Sequence, residues 1–433
     1  MPAIMPARSD ITALLCVFCM LLIPAAGAGL ALMNTGLGRT RSAAHLMMCS
    51  LCVVSISALV YVICGFAWQG FPGGPAHALT LGGKGWNWIA AQPFFLRRVD
   101  MDGSSASLAA LFGILSVGLA ALIPLGSGTD RWRLSATCIS TALLAGVTFP
   151  LFAHWAWAGG WLAQLGENYK LGRGFLDAGG SGTIQAVGGL TALSVAWILG
   201  PRHGKYSHEG IPAAIPGHNS VLAIFGCMLA LVGWWGLNSA GAMLFSGAGP
   251  GTVVRVAANT LMCAAASALM AAVITAVRFG KPDVSLTANG WVGGLAASSG
   301  ACAFVGPVEA AAIGILGGML VTLSVEWFEL RMTVDDPGGA VSAHAMGGIW
   351  GVLAVGIFAY FPGTSDQWLA QVVGIGTLLG FVLPLTYGLN WLVDRVYPQR
   401  VAAEGERQGM DLYELGAGAY PEFITHSEEF TQH

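Results

Sequence analysis

Eleven apolar runs, each of roughly bilayer-spanning length, divide this chain, and no water-soluble fold accommodates so much uninterrupted hydrophobic sequence. They fall near 11–32, 43–68, 108–125, 134–157, 182–199, 221–238, 256–279, 286–304, 308–328, 339–361 and 368–392. Only 9% of the residues are charged against 55% hydrophobic, whereas ordinary globular domains carry about 25% charged residues. A backbone in hydrocarbon must satisfy its own hydrogen bonds, and runs of this length do so as helices. The expected fold is an all-α integral membrane protein with eleven transmembrane helices, multi-pass in the plasma membrane. Residues 1–392 form the membrane domain and 393–433 a polar cytoplasmic tail. The net charge of −3 argues against a nucleic-acid surface, and the 62 glycines argue for helices packed backbone to backbone.

The basic residues assign an orientation. With the N-terminus outside, the cytoplasmic loops hold Arg39, Arg41, Arg131, Arg133, Arg202, Lys205, Arg278, Lys281, Arg331, Arg395, Arg400 and Arg407. The outer loops hold the fewer Arg8, Lys84, Arg97, Arg98, Lys170, Arg173 and Arg255. The bias fits an odd number of spans, N-out and C-in. A competing reading takes the first run as a cleaved signal peptide, from Arg8 to Ala25-Ala-Gly-Ala28, but its apolar stretch exceeds the usual length of about 7–15 residues. The connection 69–107, with Gly, Pro and Trp throughout, is expected to form a short outer cap.

One pattern occurs twice. Asp177-Ala-Gly-Gly-Ser-Gly-Thr-Ile-Gln185-Ala-Val-Gly188-Gly189 returns as Asp336-Pro-Gly-Gly-Ala-Val-Ser-Ala-His344-Ala-Met-Gly347-Gly348. The copies open the fifth and tenth runs. An odd step of five spans makes them antiparallel across the membrane, the arrangement of an inverted repeat: two sets of five helices related by a pseudo-twofold axis, plus a final helix. Each Asp stands at a helix start, where its carboxylate accepts backbone N–H groups, so a structural cap is favoured over catalysis. Eight residues of helix carry Gln185 and His344 roughly 12 Å inward from opposite faces, and both then reach the middle of a core about 30 Å thick. The spacing predicts a central polar pair, with the Gly-Gly steps allowing close approach. An isolated buried His or Gln only ties a bundle together; two matched positions in a repeat point to a pathway.

Other chemistry is weak. Cys16-Val-Phe-Cys19 and Cys49-Ser-Leu-Cys52 fall inside apolar runs without His or basic neighbours and read as packing rather than metal or redox sites. His154 reads as structural, and His203, His208, His426 and His433 lie in polar segments. No nucleophile–base pair, cofactor motif or metal site points to an enzyme.

In order along the chain, Thr129-Asp-Arg-Trp-Arg-Leu-Ser135, Ala153-His-Trp-Ala-Trp157, Asp177–Gly189, Leu199-Gly-Pro-Arg202, His218-Asn219, Gly233-Trp-Trp-Gly-Leu-Asn238, Ala258-Asn-Thr260, Gly280-Lys-Pro282, Val334-Asp-Asp-Pro-Gly338, His344-Ala-Met-Gly-Gly-Ile-Trp350, Gly409-Met-Asp-Leu412 and Ala419-Tyr420 together resemble the Amt/Mep/Rh ammonium transporter family, most closely its Amt branch. The resemblance implies a homotrimer with a pore in each subunit and no cofactor. It also implies a trimeric PII-type regulator that plugs the pore at the cytoplasmic tail. Trp157 matches the aromatic of an outer ammonium-recruiting site, Asp177 the acid said to support it, and His344 the second of two pore histidines.

Departures matter as much. Gln185 replaces the first pore histidine and cannot titrate. Leu237 stands where an aromatic gate is usual, and Gly241 where a recruiting hydroxyl is often found. The partner aromatic on the third span is left between Ser116, on an ungapped alignment, and Phe112, one turn away. Leu32-Met-Asn-Thr-Gly36 lacks an aromatic seen in many members. The first functional reading is an ammonium/ammonia transporter or channel. The alternative is a poorly conducting ammonium sensor or a channel for another small solute.

Overall fold

The computed structural model describes residues 10–420; Arg8, His426 and His433 lie outside them. Among the described residues ten helices are long and apolar enough to cross a membrane: α1 Asp10–Leu37, α2 Thr40–Gln69, α3 Ser105–Gly128, α4 Leu134–Trp157, α5 Ser181–Leu199, α6 Ser220–Phe245, α7 Pro250–Phe279, and, after an interposed helix, α9 Pro307–Met332, α10 Val341–Phe358 and α11 Gln367–Val396. The interposed helix is α8, Val284–Ala301, at the place of the expected run 286–304. It falls short of the ten in hydropathy because Asn289, Gly290, Gly293, Gly294, Ser298 and Ser299 dilute its apolar residues. All six are buried among other helices, so this helix has little need of a lipophilic surface.

The all-α expectation needs one correction. Between α2 and α3 an antiparallel hairpin pairs β1 Ala76–Leu81 with β2 Lys84–Ala90. Its two-residue turn is Gly82-Gly83, with φ of +59° and +74°, the double left-handed conformation that matches strand twist in a tight hairpin and that glycine adopts without strain. Trp86, facing Leu79 across the ladder, is buried, whereas Trp88 is half-exposed.

At the centre, α5 and α10 cross each other almost in backbone contact. A Cβ on Gly189 would meet the backbone of Ala345, with Cα at 2.7 Å. A Cβ on Gly348 would meet the carbonyl of Ser181 and the nitrogen of Ala186, the latter at 2.8 Å. The two contacts are reciprocal: each glycine sits on the residue that follows the polar member of the opposite copy. Each helix also opens with a π-helical turn, Ser181–Ala186 and Val341–Met346, containing Gln185 and His344 respectively. Such wide turns are rare and concentrate at functional sites.

The face away from the hairpin is held by buried charge. Arg202, just past α5, reaches Asp335, just before α10, through Nε at 2.8 Å and Nη2 at 3.0 Å, and Asp130 through Nη1 at 3.0 Å. Arg131 donates to the Gly200 and Asp335 carbonyls at 2.7 and 2.8 Å. This node ties the end of the Gln185 helix to the start of the His344 helix. Burial alone would push the Asp335 carboxyl up, but the bonds from Arg202 and the charge of Arg131 outweigh it and hold the group at about 2. Burial brings Arg131 down to about 10 even though Asp335 opposes the shift.

The tail is part of the same construction. Arg400 donates to the Leu199 carbonyl and to Glu406, both at 2.7 Å, and Glu406 accepts the His203 N–H at 2.6 Å. Asp411 accepts the N–H groups of Ala44 and His45 at the start of α2, and Glu414 that of Leu134 at the start of α4. Neither Ser42 nor Arg133, the residues preceding those helical stretches, supplies a side-chain cap. The tail carboxylates do that work from hundreds of residues away, and acidic groups there also complement the helix dipole.

Replacing Arg202 by Met leaves two buried carboxylates without their shared cation and is expected to cost roughly 3–5 kcal/mol; an unchanged thermal midpoint in detergent would refute the node's role. Because the Asp335 carboxyl is lower in the folded than in the unfolded chain, its contribution, on the order of 2 kcal/mol, is complete above pH about 4 and fades as pH falls toward about 2. Acid unfolding of the wild type should therefore be steeper in that interval than that of Asp335→Asn.

Candidate functional site

Gln185 and His344 meet. His344 Nδ1 lies 2.8 Å from Gln185 Oε1, and both residues are buried. An amide oxygen only accepts, so with this amide orientation the proton sits on His344 Nδ1 and Nε2 keeps its lone pair. The Gln185 amide nitrogen has no hydrogen-bond partner among the described residues. The pair thus presents one free acceptor and N–H donors side by side, and of its two members only the imidazole titrates.

Asp177 and Asp336 each bind the start of one of the two crossing helices. The Asp177 carboxylate accepts the N–H groups of Gly180 at 3.1 Å, Gly182 at 3.0 Å and Thr183 at 2.9 Å, plus the Thr183 hydroxyl at 2.9 Å. Asp336 accepts from Ala340 at 3.0 Å, Val341 at 2.7 Å and the Ser127 hydroxyl at 2.6 Å. Trp157 does touch Asp177, but through the backbone: its indole N–H donates to the Asp177 carbonyl at 2.7 Å. The carboxylate itself is committed to the helix start.

Trp157 stands in an aromatic cluster that sequence reasoning found only in part. Phe245 stacks on it with centroids 4.6 Å apart and planes 4° from parallel. Phe112 meets both rings edge-on, at 5.5 and 5.3 Å. Phe112, rather than Ser116, is therefore the aromatic that α3 brings to the site; the Ser116 hydroxyl donates to the Gly113 carbonyl of its own helix. Phe245 was missed. Leu237, Gly241 and Phe245 are spaced by four residues, so α6 lines all three along one face. The aromatic absent at Leu237 stands two turns further along, while Leu237 is fully buried in the core.

Gly241 is not an open place for a hydroxyl. A Cβ there would meet the Ala178 carbonyl and would stand 3.1 Å from Gly179 Cα. Glycine lets α6 press against the loop that carries Asp177. His154 donates its Nδ1–H to the Gln69 carbonyl at 2.8 Å, as a structural histidine does, although its Nε2 lacks a partner among the described residues. One expectation is corrected: Cys49 has a histidine neighbour, with His45 Nε2 3.6 Å from its sulfur, because residues four apart share a helix face. That histidine is engaged by Glu414 at 2.9 Å. Among the described residues no group of three or more His, Cys, Asp or Glu side chains is placed to hold a metal ion.

A profile of the Ammonium Transporter Family matches residues 13–420, which takes in both crossing helices, the aromatic cluster and the charged node. The chain belongs to the ammonium transporter family. Ammonium transporter Amt2 of Archaeoglobus fulgidus is 34% identical, over 95% of this chain and 88% of its own. Ammonium transporter Amt2 of Haloferax mediterranei is 31% identical, over 92% of this chain and 87% of its own. Among solved structures, one described as a sensor Amt protein superposes with a TM-score of 0.83 at 25% identity, covering 94% of this chain and 98% of that one. Saccharomyces cerevisiae Mep2 shares the fold, with a TM-score of 0.78 at 21% identity over 91% and 90% of the two chains. This is a family of membrane transporters and not of enzymes.

Gly241→Ser, the obvious restoration of a recruiting hydroxyl, is expected to lower the thermal midpoint and leave ammonium affinity unimproved, since the new Cβ collides with backbone. A stable variant with tighter ammonium binding would overturn this packing account. Gly189→Ala and Gly348→Ala should each destabilise by more than the ~1 kcal/mol that alanine gains over glycine inside a helix, measured by unfolding in detergent.

Proposed function

We propose that this member of the ammonium transporter family carries nitrogen through a pore in each subunit as neutral ammonia, without an imidazole-to-imidazole proton relay at its centre. The observation that carries this reading is the 2.8 Å bond between His344 and Gln185. A proton accepted by His344 finds no second titratable group beside it, because an amide does not exchange charge at ordinary pH. Ammonia has N–H donors and one lone pair, and the pair offers the complementary acceptor and donor. A cation at the same place has no lone pair for the Gln185 N–H groups and loses its hydration in a low-dielectric centre.

The entrance fits the same reading. A Trp face attracts a cation by about 0.5–2 kcal/mol, but Phe245 already occupies a face of Trp157 in a stack worth about 0.5–1.5 kcal/mol. The two terms nearly cancel where they compete, so ammonium recruitment at Trp157 is weak and Phe245 must swing aside to open the path. Leu237 and Gly241 add no aromatic and no hydroxyl to the entrance. The closed stack, with the likeness to a protein described as a sensor Amt, favours as second reading a poorly conducting ammonium sensor.

In this proposal α8 is the eighth of eleven spans, and the chain runs N-out, C-in in the plasma membrane. Its first ten helices form an inverted pair of five, supported by the reciprocal Gly189 and Gly348 contacts, the matched aspartate caps and the matched π-helical turns. The working assembly is a homotrimer, and a PII-type protein is the proposed partner at the tail face. Residues 1–392 are the membrane unit and 393–433 the tail.

Expression in a strain deficient in ammonium uptake, combined with electrical recording in proteoliposomes, tests the proposal. Growth rescue with little ammonium-dependent current is expected; rescue with a large current refutes neutral passage, and neither rescue nor current supports the sensor. Gln185→His should raise charge movement, and an unchanged current would count against the relay argument. His344→Ala strands the buried Gln185 amide, a loss of about 1–3 kcal/mol, and should slow transport about tenfold or more; wild-type uptake would show the pair to be dispensable.

A further inference from the structure

The hairpin leaves a concave apolar surface that the pore does not use. Leu79, Leu81, Trp86 and Trp88 of the hairpin, with Trp161 and Tyr169 of the α4–α5 connection, enclose a groove of about 450 Å³, within the roughly 300–1,000 Å³ of small-molecule sites. Leu79, Leu81 and Trp88 are 58%, 74% and 45% exposed, too apolar a surface to face water without a reason.

Two observations specify what covers it. A line of contacting rings connects the groove to the lipid-facing side of the bundle through the buried Trp155. Trp88 lies 5.4 Å from Trp155, and Trp155 lies 5.0 Å from Phe381 on α11. Phe381 and its neighbour Leu379 are 39% and 46% exposed on a membrane-crossing helix, where acyl chains are the solvent. The groove also has a cation at its rim: the Lys84 ammonium lies 3.7 Å from the centre of the Tyr169 ring. An apolar trough joined by contacting rings to a lipid-facing helix, with one positive charge at its edge, matches a phospholipid, chain in the trough and phosphate at the rim. Clustered Trp and Tyr at a membrane boundary suit that environment, since their rings are apolar and their N–H and O–H groups are not.

We propose that this groove seats an acyl chain of a phospholipid from the leaflet on the hairpin's side, and so holds the hairpin against the membrane surface. The proposal concerns lipid and does not depend on which nitrogen species the pore passes. It is tested by photo-crosslinking the full chain in phosphatidylcholine–phosphatidylglycerol vesicles, with p-benzoyl-phenylalanine in place of Leu81. Parallel samples carry the probe in place of Phe381 as a lipid-facing control and in place of Glu209 as a polar-loop control. A phospholipid-mass adduct at position 81, at a yield comparable with that at 381 and well above that at 209, is expected. Adding Leu79→Asp, a change at an exposed site, should cut the adduct at 81 about tenfold, in line with losing the burial of one apolar side chain. An adduct to a second copy of the chain, no adduct at 81 where 381 reacts, or a yield indifferent to Leu79→Asp would each overturn the proposal.

Discussion

Two helices can share the middle of this bundle only if their backbones nearly touch. In hydrocarbon, association gains nothing from excluding water, so packing contact and internal hydrogen bonds must hold helices together. Gly189 and Gly348 supply the contact by having no side chain where α5 and α10 cross. The rest of the central arrangement hangs on that crossing. It sets the separation at which a Gln on one helix reaches a His on the other, and it brings both starting loops into the protein interior. Those loops carry backbone N–H groups that no water satisfies, and the Asp177 and Asp336 carboxylates take them up. The aspartates therefore belong to the crossing before they belong to any substrate.

The far face solves the complementary problem of fixing the helices along their axes. Arg202 and Asp335 bond the exit of α5 to the entry of α10. The position of Gln185 relative to His344 is thus held at the crossing and again at the ends. Asp130, Arg131, Arg400 and Glu406 extend the node to α3 and the tail. A buried ion pair is often no more stabilising than apolar packing, but once built it is costly to break. Its use here is positional. The tail enters as structure, since its carboxylates finish the starts of α2 and α4.

The entrance shows how a family pattern can be kept in place while its parts move. An aromatic missing at Leu237 is supplied by Phe245 on the same face of α6, two turns further along. The hydroxyl missing at Gly241 is excluded by the close loop carrying Asp177. These are neighbouring contacts of one helix: α6 presses on the Asp177 loop at Gly241, and the ring beyond it lies flat on Trp157. In the proposed reading, weak ammonium recruitment follows from this contact, because Phe245 takes up a face of Trp157.

The membrane class, the places of the helices and the doubled motif were all legible in the sequence, because apolar length and fixed spacing are local properties that a bilayer reads directly. The Gln185–His344 pair was legible too, since a repeat places two side chains at equal depths. Phe245 was not, because nothing local distinguishes one phenylalanine at a helix end from the others until Trp157 is brought to it across α4. Arg202, Asp335 and Glu406 looked like ordinary loop charges, and only the folded chain buries them against one another. The hairpin escaped for a related reason: a two-glycine turn between two short strands stands out little in a sequence otherwise dominated by helices. Sequence by itself determined which segments are long and apolar enough to enter a membrane and which two polar residues stand at matched places in the repeat, because hydrophobicity and helical rise act within one segment. Tertiary structure decided which rings stack, which charges pair and how tightly the entrance closes, because those depend on how near separate helices come, and that distance is set by their crossing.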